Sequence, residues 1–313
     1  MTNEQHNLGK VSDLSQQDFE GLLKGPGLGL QIGPFSARVR IEVEGLSDLL
    51  YDFYRDHTLL DSEIVHSFHV RLQHKRAFPR LYRRTVRFTV DGRKPHEDMP
   101  IDQALPVFEW GLNLVVALRS HSFLMLHSAV LERNDKALLL PAMPGHGKST
   151  LCAGMSHRGW RTFSDEFGLI RPGTQEMIPV PRPMALKNES IQIIRDFAPD
   201  AFIGPATPNT RKGTVAHLKP TTDSVAKQNT KAQVGMIIFP KWVKEASLNL
   251  QPISKGESFM LLATNAFNYE LLGEAAFRTV GDLVERADCY RLVYSDLEEA
   301  TRRLNDLADT NAS

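Results

Sequence analysis

The chain has 313 residues, of which 42% are hydrophobic and 24% charged, the proportions of a globular protein long enough to bury a sizeable core. Lys plus Arg and Asp plus Glu both count 37, so the formal net charge is zero, and there is no global attraction to nucleic acid or anionic lipid. Two cysteines, Cys152 and Cys289, make no disulfide framework, and the polar start and the lack of an uninterrupted apolar run of about 18 residues predict a cytoplasmic chain without a membrane span.

In chain order, a short amphipathic helix is expected near Ser15–Leu23, then a turn at GPGLG (25–29). ARVRIEVEG (37–45) alternates apolar and polar residues as a strand does, and LSDLLYDFY (46–54) has helical spacing. HSFHVRLQH and RRTVRFTVDG read as strands, the second ending in an Asp91-Gly92 turn. These elements form a smaller N-terminal α+β module, assigned to 1–103. A second domain, 104–313, opens with a mostly buried helix at 104–121. Two apolar strands follow, FLMLHSAVLE and ALLLPA, joined by the turn NDK. Next come a glycine-rich loop, the helix STLCAGMSHRG, and the strand WRTFSDEFGLI, interrupted by Asp165 and Glu166. Strand, glycine loop, helix, strand is the layout of a nucleotide-binding α/β core. Residues 171–232, rich in Pro, Thr, Lys and Asn, read as long functional loops with one helix after Asn188. GMIIFP and CYRLVYS are strands, and SFMLLATNAF, EAAFRTVGDLVERA and the capped DLEEATRRLNDLA are helices.

The loop reads Ala142-Met143-Pro144-Gly145-His146-Gly147-Lys148-Ser149, against the phosphate-loop pattern G-x-x-x-x-G-K-[ST]. Ala142 replaces the first glycine. Gly145 and Gly147 can turn successive N–H groups inward around a phosphate at the positive end of a helix, and Pro144, with no N–H, makes Gly145 the start of that cradle. Gly145, His146, Gly147, Lys148, Ser149 and Thr150 are the expected ATP contacts. Lys148 would neutralise the β and γ phosphates. Ser149 would ligate Mg²⁺, with Thr150 as substitute. Asp165 and Glu166 fall where phosphoryl transfer needs carboxylates, although neighbours on a strand point to opposite faces. His127, on the strand before the loop, would orient a carboxylate or sense its charge.

The stretch LHSAVLE…LLLPAMPGHGKSTLCAGMSHRGWRTFSDEFGLI resembles the core of the bacterial HPr kinase/phosphorylases. The similarity is good over roughly 122–172. EWGLN (109–113), RPMALKNES (182–190) and TRKGTVAH (210–217) make the whole chain look like the divergent branch called HPr kinase-related protein A. The resemblance implies a P-loop kinase core of the HPr kinase type. It makes Asp165 the general base, Glu166 the acid near the metal, and His127 the histidine that contacts the base. It also implies ATP and Mg²⁺, a serine hydroxyl of a small protein or peptide as acceptor, and a homo-oligomer. The sequence departs from the family at Ala142, Pro144 and Glu166, and RPMALKNES stands where the family has a further acidic, glycine-containing segment.

Arg211 and Lys212 lie in a Thr/Pro/Asn-rich loop and are read either as cations of a lid over the γ-phosphate, with Arg211 catalytic, or as a solvated basic loop. Lys187 could reach a phosphate, while Asn188 caps a helix. The basic stretch Arg71–Lys94, with Phe78, Tyr82 and Phe88 interleaved, reads as the charged face of alternating strands; if it binds anything, an acidic protein fits better than DNA. The resulting reading is a Mg-ATP kinase acting on a hydroxyl. Its alternatives are an ATP-binding regulatory module without transfer and a small-molecule kinase.

Overall fold

The computed structural model describes residues 6–76 and 84–310; Phe78 and Tyr82 lie outside them. The architecture is mixed α/β. Seven N-terminal strands are β1 (Asn7–Lys10), β2 (Leu28–Ile32), β3 (Phe35–Glu42), β4 (Thr58–Leu60), β5 (Phe68–Arg76), β6 (Arg84–Val90) and β7 (Met99–Pro100). They form one sheet in the order β1-β4-β2-β3-β5-β6-β7. Only β3 and β5 pair in parallel among these neighbours, because α2 (Ser47–Tyr54) and β4 lie between them in sequence. Helix α1 (Gln16–Lys24) starts at Ser15, whose side chain accepts from the Asp18 N–H. The hairpin strand β2 and the short β4 extend beyond the expected elements. The GPGLG turn is shorter than expected, since Leu28 and Gly29 already belong to β2.

Helix α3 (Ala104–Arg119) buries Leu105, Val107, Phe108, Leu112, Val115 and Val116 in the same core as the strands of this sheet. That core also takes in Met125, Phe167, Leu169, Ile178 and Val180, so apolar packing runs continuously across position 104. The segment Ile101–Arg119 is the one described helix long and apolar enough to cross a membrane, and 61% of its apolar window is buried inside the protein.

The second half carries β8 (Leu124–Arg133), β9 (Lys136–Pro141), β10 (Arg161–Ser164), β11 (Phe167–Ile170), β12 (Glu176–Ile178), β16 (Ala232–Trp242), β17 (Asn249–Pro252) and β18 (Asp288–Tyr294) in one sheet. Strands β9 and β18 flank β16 in parallel, while β8 runs antiparallel to β9 and to β10. The carboxyl ends of β9, β10, β16 and β18 therefore point the same way. Helices α4 (Lys148–Ser156), α5 (Glu189–Phe197) and α10 (Leu297–Thr310) share one core, where Cys152 is fully buried, and α7 (Lys255–Thr264) and α9 (Glu274–Arg286) share another. Short helices α6 (Thr222–Ala226) and α8 (Tyr269–Leu272) complete the chain.

Residues 171–232 are more ordered than their composition suggests. Strands β13 (Met184–Lys187), β14 (Thr207–Thr210) and β15 (Gly213–Leu218) form an antiparallel sheet, and Met184, Leu186, Ala216 and Leu218 are buried in the α4/α5 core. The expectation of unpacked loops is corrected: Pro, Thr and Asn set tight hairpins here, and only alternate residues of short strands need be apolar.

The two halves are stitched by polar contacts. Gln228 accepts from the Gly33 N–H at 3.2 Å and donates to Thr58 at 3.1 Å; Gln31 donates to Asn229 at 2.7 Å; Lys219 pairs with Asp56 at 2.6 Å. Helix α3 approaches β6 so closely at Gly111 that a Cβ there would overlap the Phe88 ring. Gly111→Ala is expected to destabilise the fold by about 1–3 kcal/mol through overpacking, read as a lower urea midpoint with unchanged slope.

Candidate functional site

The parallel strands deliver the site. Strand β9 ends at Pro141 and runs into the 142–147 loop, while β16 and β18 end at Trp242 and Tyr294. Backbone and side chain then tie the loop from behind: the Trp242 N–H donates to the His146 carbonyl at 3.0 Å, and the Tyr294 hydroxyl donates to the Gly147 carbonyl at 3.0 Å. Gly147 sits at φ +83°, and a Cβ there would lie 2.8 Å from the Trp242 Cβ and 2.7 Å from the Tyr294 oxygen. Glycine is required on both counts. Helix α4 begins at the next residue with no acid in its first turn, so its N-terminal N–H groups keep their positive end open to an anion.

Lys148 is only 7% exposed. Its Nζ contacts the Asp165 backbone carbonyl and lies 3.3 Å from Asp165 Oδ1. Burial acts to lower this ammonium, but the Asp165 and Glu166 carboxylates hold it above the ordinary lysine value.

The acid pair interrupts one line of chain along β8. Ser164 pairs with Val130 and Phe167 with His127, while Asp165 and Glu166 stand between. The Ser164 hydroxyl accepts from the N–H groups of Glu166 and Phe167 at 3.2 and 3.0 Å. A side chain thus replaces the ladder there. Both acids line the same cavity, so strand alternation does not separate them. Burial, together with Glu166 beside it, raises Asp165 above the usual carboxylate range, against the opposing pull of Lys148 and a hydrogen bond with Ser149. Burial would also raise Glu166, but Lys148, Lys212 and Lys187 together hold it low.

His127 is half-buried, its ring 5.6 Å from that of Phe267. Desolvation, then Lys148, lower it, and Glu166 is the acid that opposes them. Among the described residues no hydrogen bond joins its ring to Asp165. The 210–213 segment is a hairpin turn rather than a lid: Thr210 Oγ1 donates to the Gly213 carbonyl at 2.7 Å and accepts from the Lys212 N–H at 3.1 Å. Arg211 is exposed on that turn and, among the described residues, makes no ion pair. Lys212, also exposed, has its Nζ 5.4 Å from the Trp110 ring centre, and its charge acts on Glu166, His127 and Lys187. Desolvation, then Lys212, lower Lys187. Asn188 does not cap α5 with its side chain. At φ +51° it turns its Oδ1 to accept from the Thr214 N–H at 3.1 Å, which docks the helix start onto the hairpin.

Beside the loop lies a cavity of about 690 Å³ bounded by Gly145, Gly147, Thr150, Ile193, Trp242 and Tyr294, with Lys187 at its margin. Ser149 and Thr150 are half-buried on the first turn of α4, and His146 is half-buried on the loop. No family model and no curated protein matches this chain.

Among the described residues no three His, Cys, Asp or Glu side chains gather as a metal cage. A magnesium–nucleotide needs none, since Mg²⁺ keeps several waters and takes one or two carboxylates plus phosphate oxygens. The Ser149 hydroxyl hydrogen-bonds Asp165, next to Glu166, and this hard-oxygen donor set fits that ion.

Behind the acids lies a polar wall for which the sequence offered only unassigned segments. EWGLN, RPMALKNES and TRKGTVAH converge on the small cavity that Asp165 and Glu166 line: Glu109, Trp110 and Asn113 from α3, Arg182 before β13, and His217 on β15. Tyr54 donates to Glu109 Oε1 at 2.7 Å, and Arg182 contacts Asn113 and lies 3.6 Å from Glu109 Oε2. Burial raises Glu109 to about 7, and desolvation lowers His217 to about 3. The native fold therefore holds a proton on Glu109 that the unfolded chain releases above 4.5. This contribution is complete below pH 4.5 and is lost as pH rises toward 7. His217 works oppositely: its contribution is present above 6.5 and is lost as pH falls toward about 3. Glu109→Gln should accordingly gain stability relative to wild type as pH rises from 4.5 to about 7, checked by urea unfolding across that range. Parallel curves for the two proteins would contradict a buried, proton-holding Glu109.

Proposed function

We propose that this chain is an ATP-dependent phosphotransferase with a P-loop core of the HPr kinase type, moving the γ-phosphate to a hydroxyl, serine by resemblance, of a small protein or peptide. The observation that carries the reading is the closure of Lys148, first residue of the helix behind the glycine loop, onto Asp165 at 3.3 Å, with Glu166 in the same cluster. Chance glycine turns do not place a buried lysine against a paired acid where parallel strands end. The sequence resemblance over 122–172 supports the same assignment.

The N–H groups from Gly145 onward and the start of α4 would hold the phosphates, and the 690 Å³ cavity with Trp242 at its edge would take the nucleoside. Lys148 would exchange Asp165 for the β and γ phosphates, which frees the Asp165 carboxylate. That carboxylate, raised by burial, then accepts the acceptor's hydroxyl proton. The acceptor oxygen forms its bond to the γ-phosphorus as the bond to the β,γ-bridging oxygen breaks, and ADP leaves with the electron pair. Magnesium held by Ser149 and Glu166 would supply neutralisation of the phosphate charge when bound. Lys212 and Lys187 stand where they can stabilise negative charge that spreads during transfer; Lys212 takes the part that the sequence assigned to Arg211.

A second reading rests on the Lys148–Asp165 contact itself. If nucleotide binding leaves that pair closed, Asp165 cannot accept a proton, and the chain is an ATP-binding regulatory module.

With γ-labelled ATP, Mg²⁺ and a soluble cell extract, wild-type protein is expected to label a discrete acceptor. Lys148→Ala should lower labelling by about 10²–10³-fold, and Asp165→Asn by about 10²–10⁴-fold while retaining nucleotide binding. Unchanged labelling in Lys148→Ala would refute the site. Tight ATP binding without labelled product would select the regulatory reading.

A further inference from the structure

The sheet of the N-terminal half turns its apolar residues to α1, α2 and α3, and its other face is cationic. Along β3, Arg38 and Arg40 alternate with buried Val39 and Ile41. In register beside them, Arg40 lies opposite Arg71 of β5, and Gln73 of β5 opposite Arg87 of β6. Lys75 continues the same side of β5. Two of these cations are satisfied within the chain: Arg71 by Glu42, with Nε to Oε1 at 2.6 Å, and Arg87 by Asp98 at 2.7 Å. Among the described residues, Arg38, Arg40 and Lys75 have no carboxylate partner. Arg38 and Arg40 instead both donate to a single oxygen, the Pro26 carbonyl, through Arg38 Nε at 2.7 Å and Arg40 Nε and Nη2 at 3.1 and 2.9 Å. One carbonyl pins two like-charged guanidinium groups side by side, and among the described residues their other N–H groups make no hydrogen bond. A groove of about 320 Å³ runs between these arginines, His69 and Thr89.

We propose that this face docks an acidic, extended segment of a partner protein. Arginines two residues apart on a strand repeat at about 6.6–6.8 Å, the spacing of alternate side chains on an extended peptide, so carboxylates at every second position meet Arg38 and Arg40 in turn. Guanidinium forks match carboxylates bidentately. The described outward positions of β3, β5 and β6 carry no Phe, Tyr or Trp, and His69 is the one ring in the groove, so there is no row of platforms on which successive nucleic-acid bases would stack. The proposal stands apart from the transfer site and holds whether or not that site transfers phosphate.

The probe is a fluorescein-labelled peptide of alternating Glu and Thr, titrated with the full chain by fluorescence anisotropy at low and at high salt. Binding is expected at low salt and should weaken at high salt. Arg40→Gln should weaken it about tenfold. Lys75→Gln, which breaks no ion pair among the described residues, should weaken it by a smaller factor while leaving thermal unfolding unchanged. Absence of peptide binding at low salt would overturn the proposal, as would binding unchanged in both variants. Tighter binding of a labelled oligothymidylate than of the peptide would overturn it in favour of nucleic acid.

Discussion

A lysine ammonium taken almost wholly out of water must be met by negative charge, or it will shed its proton. Lys148 is in that position, and much of the second half of the chain is arranged around the consequence. Asp165 supplies both its backbone oxygen and its carboxylate, and Glu166 adds a second negative charge. For two successive residues to serve one cation, the strand must stop being a strand. The Ser164 hydroxyl makes that possible by taking over the N–H groups of Glu166 and Phe167. On the other side, Trp242 and Tyr294 fix the loop that launches Lys148. The lysine is thus held between a loop anchored by two parallel strands and a break in a third line of chain.

The acid pair rests in turn on a polar layer drawn from both halves of the molecule. Tyr54 and Glu109 belong to elements packed on the N-terminal sheet, while Arg182 and His217 belong to the segment that carries the small three-stranded sheet. Several of their buried atoms, among them Glu109 Oε2, Arg182 Nη1 and both His217 nitrogens, have no hydrogen-bond partner among the described residues. Such groups cost free energy when dry, and the small cavity they share with Asp165 and Glu166 has room, at about 30 Å³, for a water molecule. Because α3 brings Glu109 to this layer, a shift of the N-terminal half would be felt at the acids. The continuous apolar core across position 104 opposes such a shift.

Cations surround the acids in unequal roles. Lys148 is committed to Asp165, whereas Lys187 and Lys212 act from the rim, each lowering the other's neighbours through space. Crowded positive charge with two carboxylates beneath it favours a polyanion over a neutral ligand. The proposed nucleotide would relieve the repulsion among the lysines while releasing Asp165.

The sequence by itself determined the local pieces. Loop, helix and acid pair were legible because each depends on neighbours in the chain: glycine at positive φ, a helix start directly behind it, strand alternation on either side. The helix near Ser15–Leu23 and the turn at Asp91-Gly92, whose two residues both take positive φ, were legible for the same reason. The hairpins between 171 and 232 were not, because Pro, Thr and Asn mark turns without showing that the short stretches between them pair. Only the tertiary structure decided which remote side chains share one volume. It carried the Lys212 ammonium to the Trp110 ring, a contact that its neighbour Arg211 does not make among the described residues. It brought Glu109, Arg182 and His217 together from segments scores of residues apart, and it set Trp242 and Tyr294 behind the loop. Those choices follow from strand register and helix packing. Both are properties of contacts distant in sequence, which no local pattern encodes.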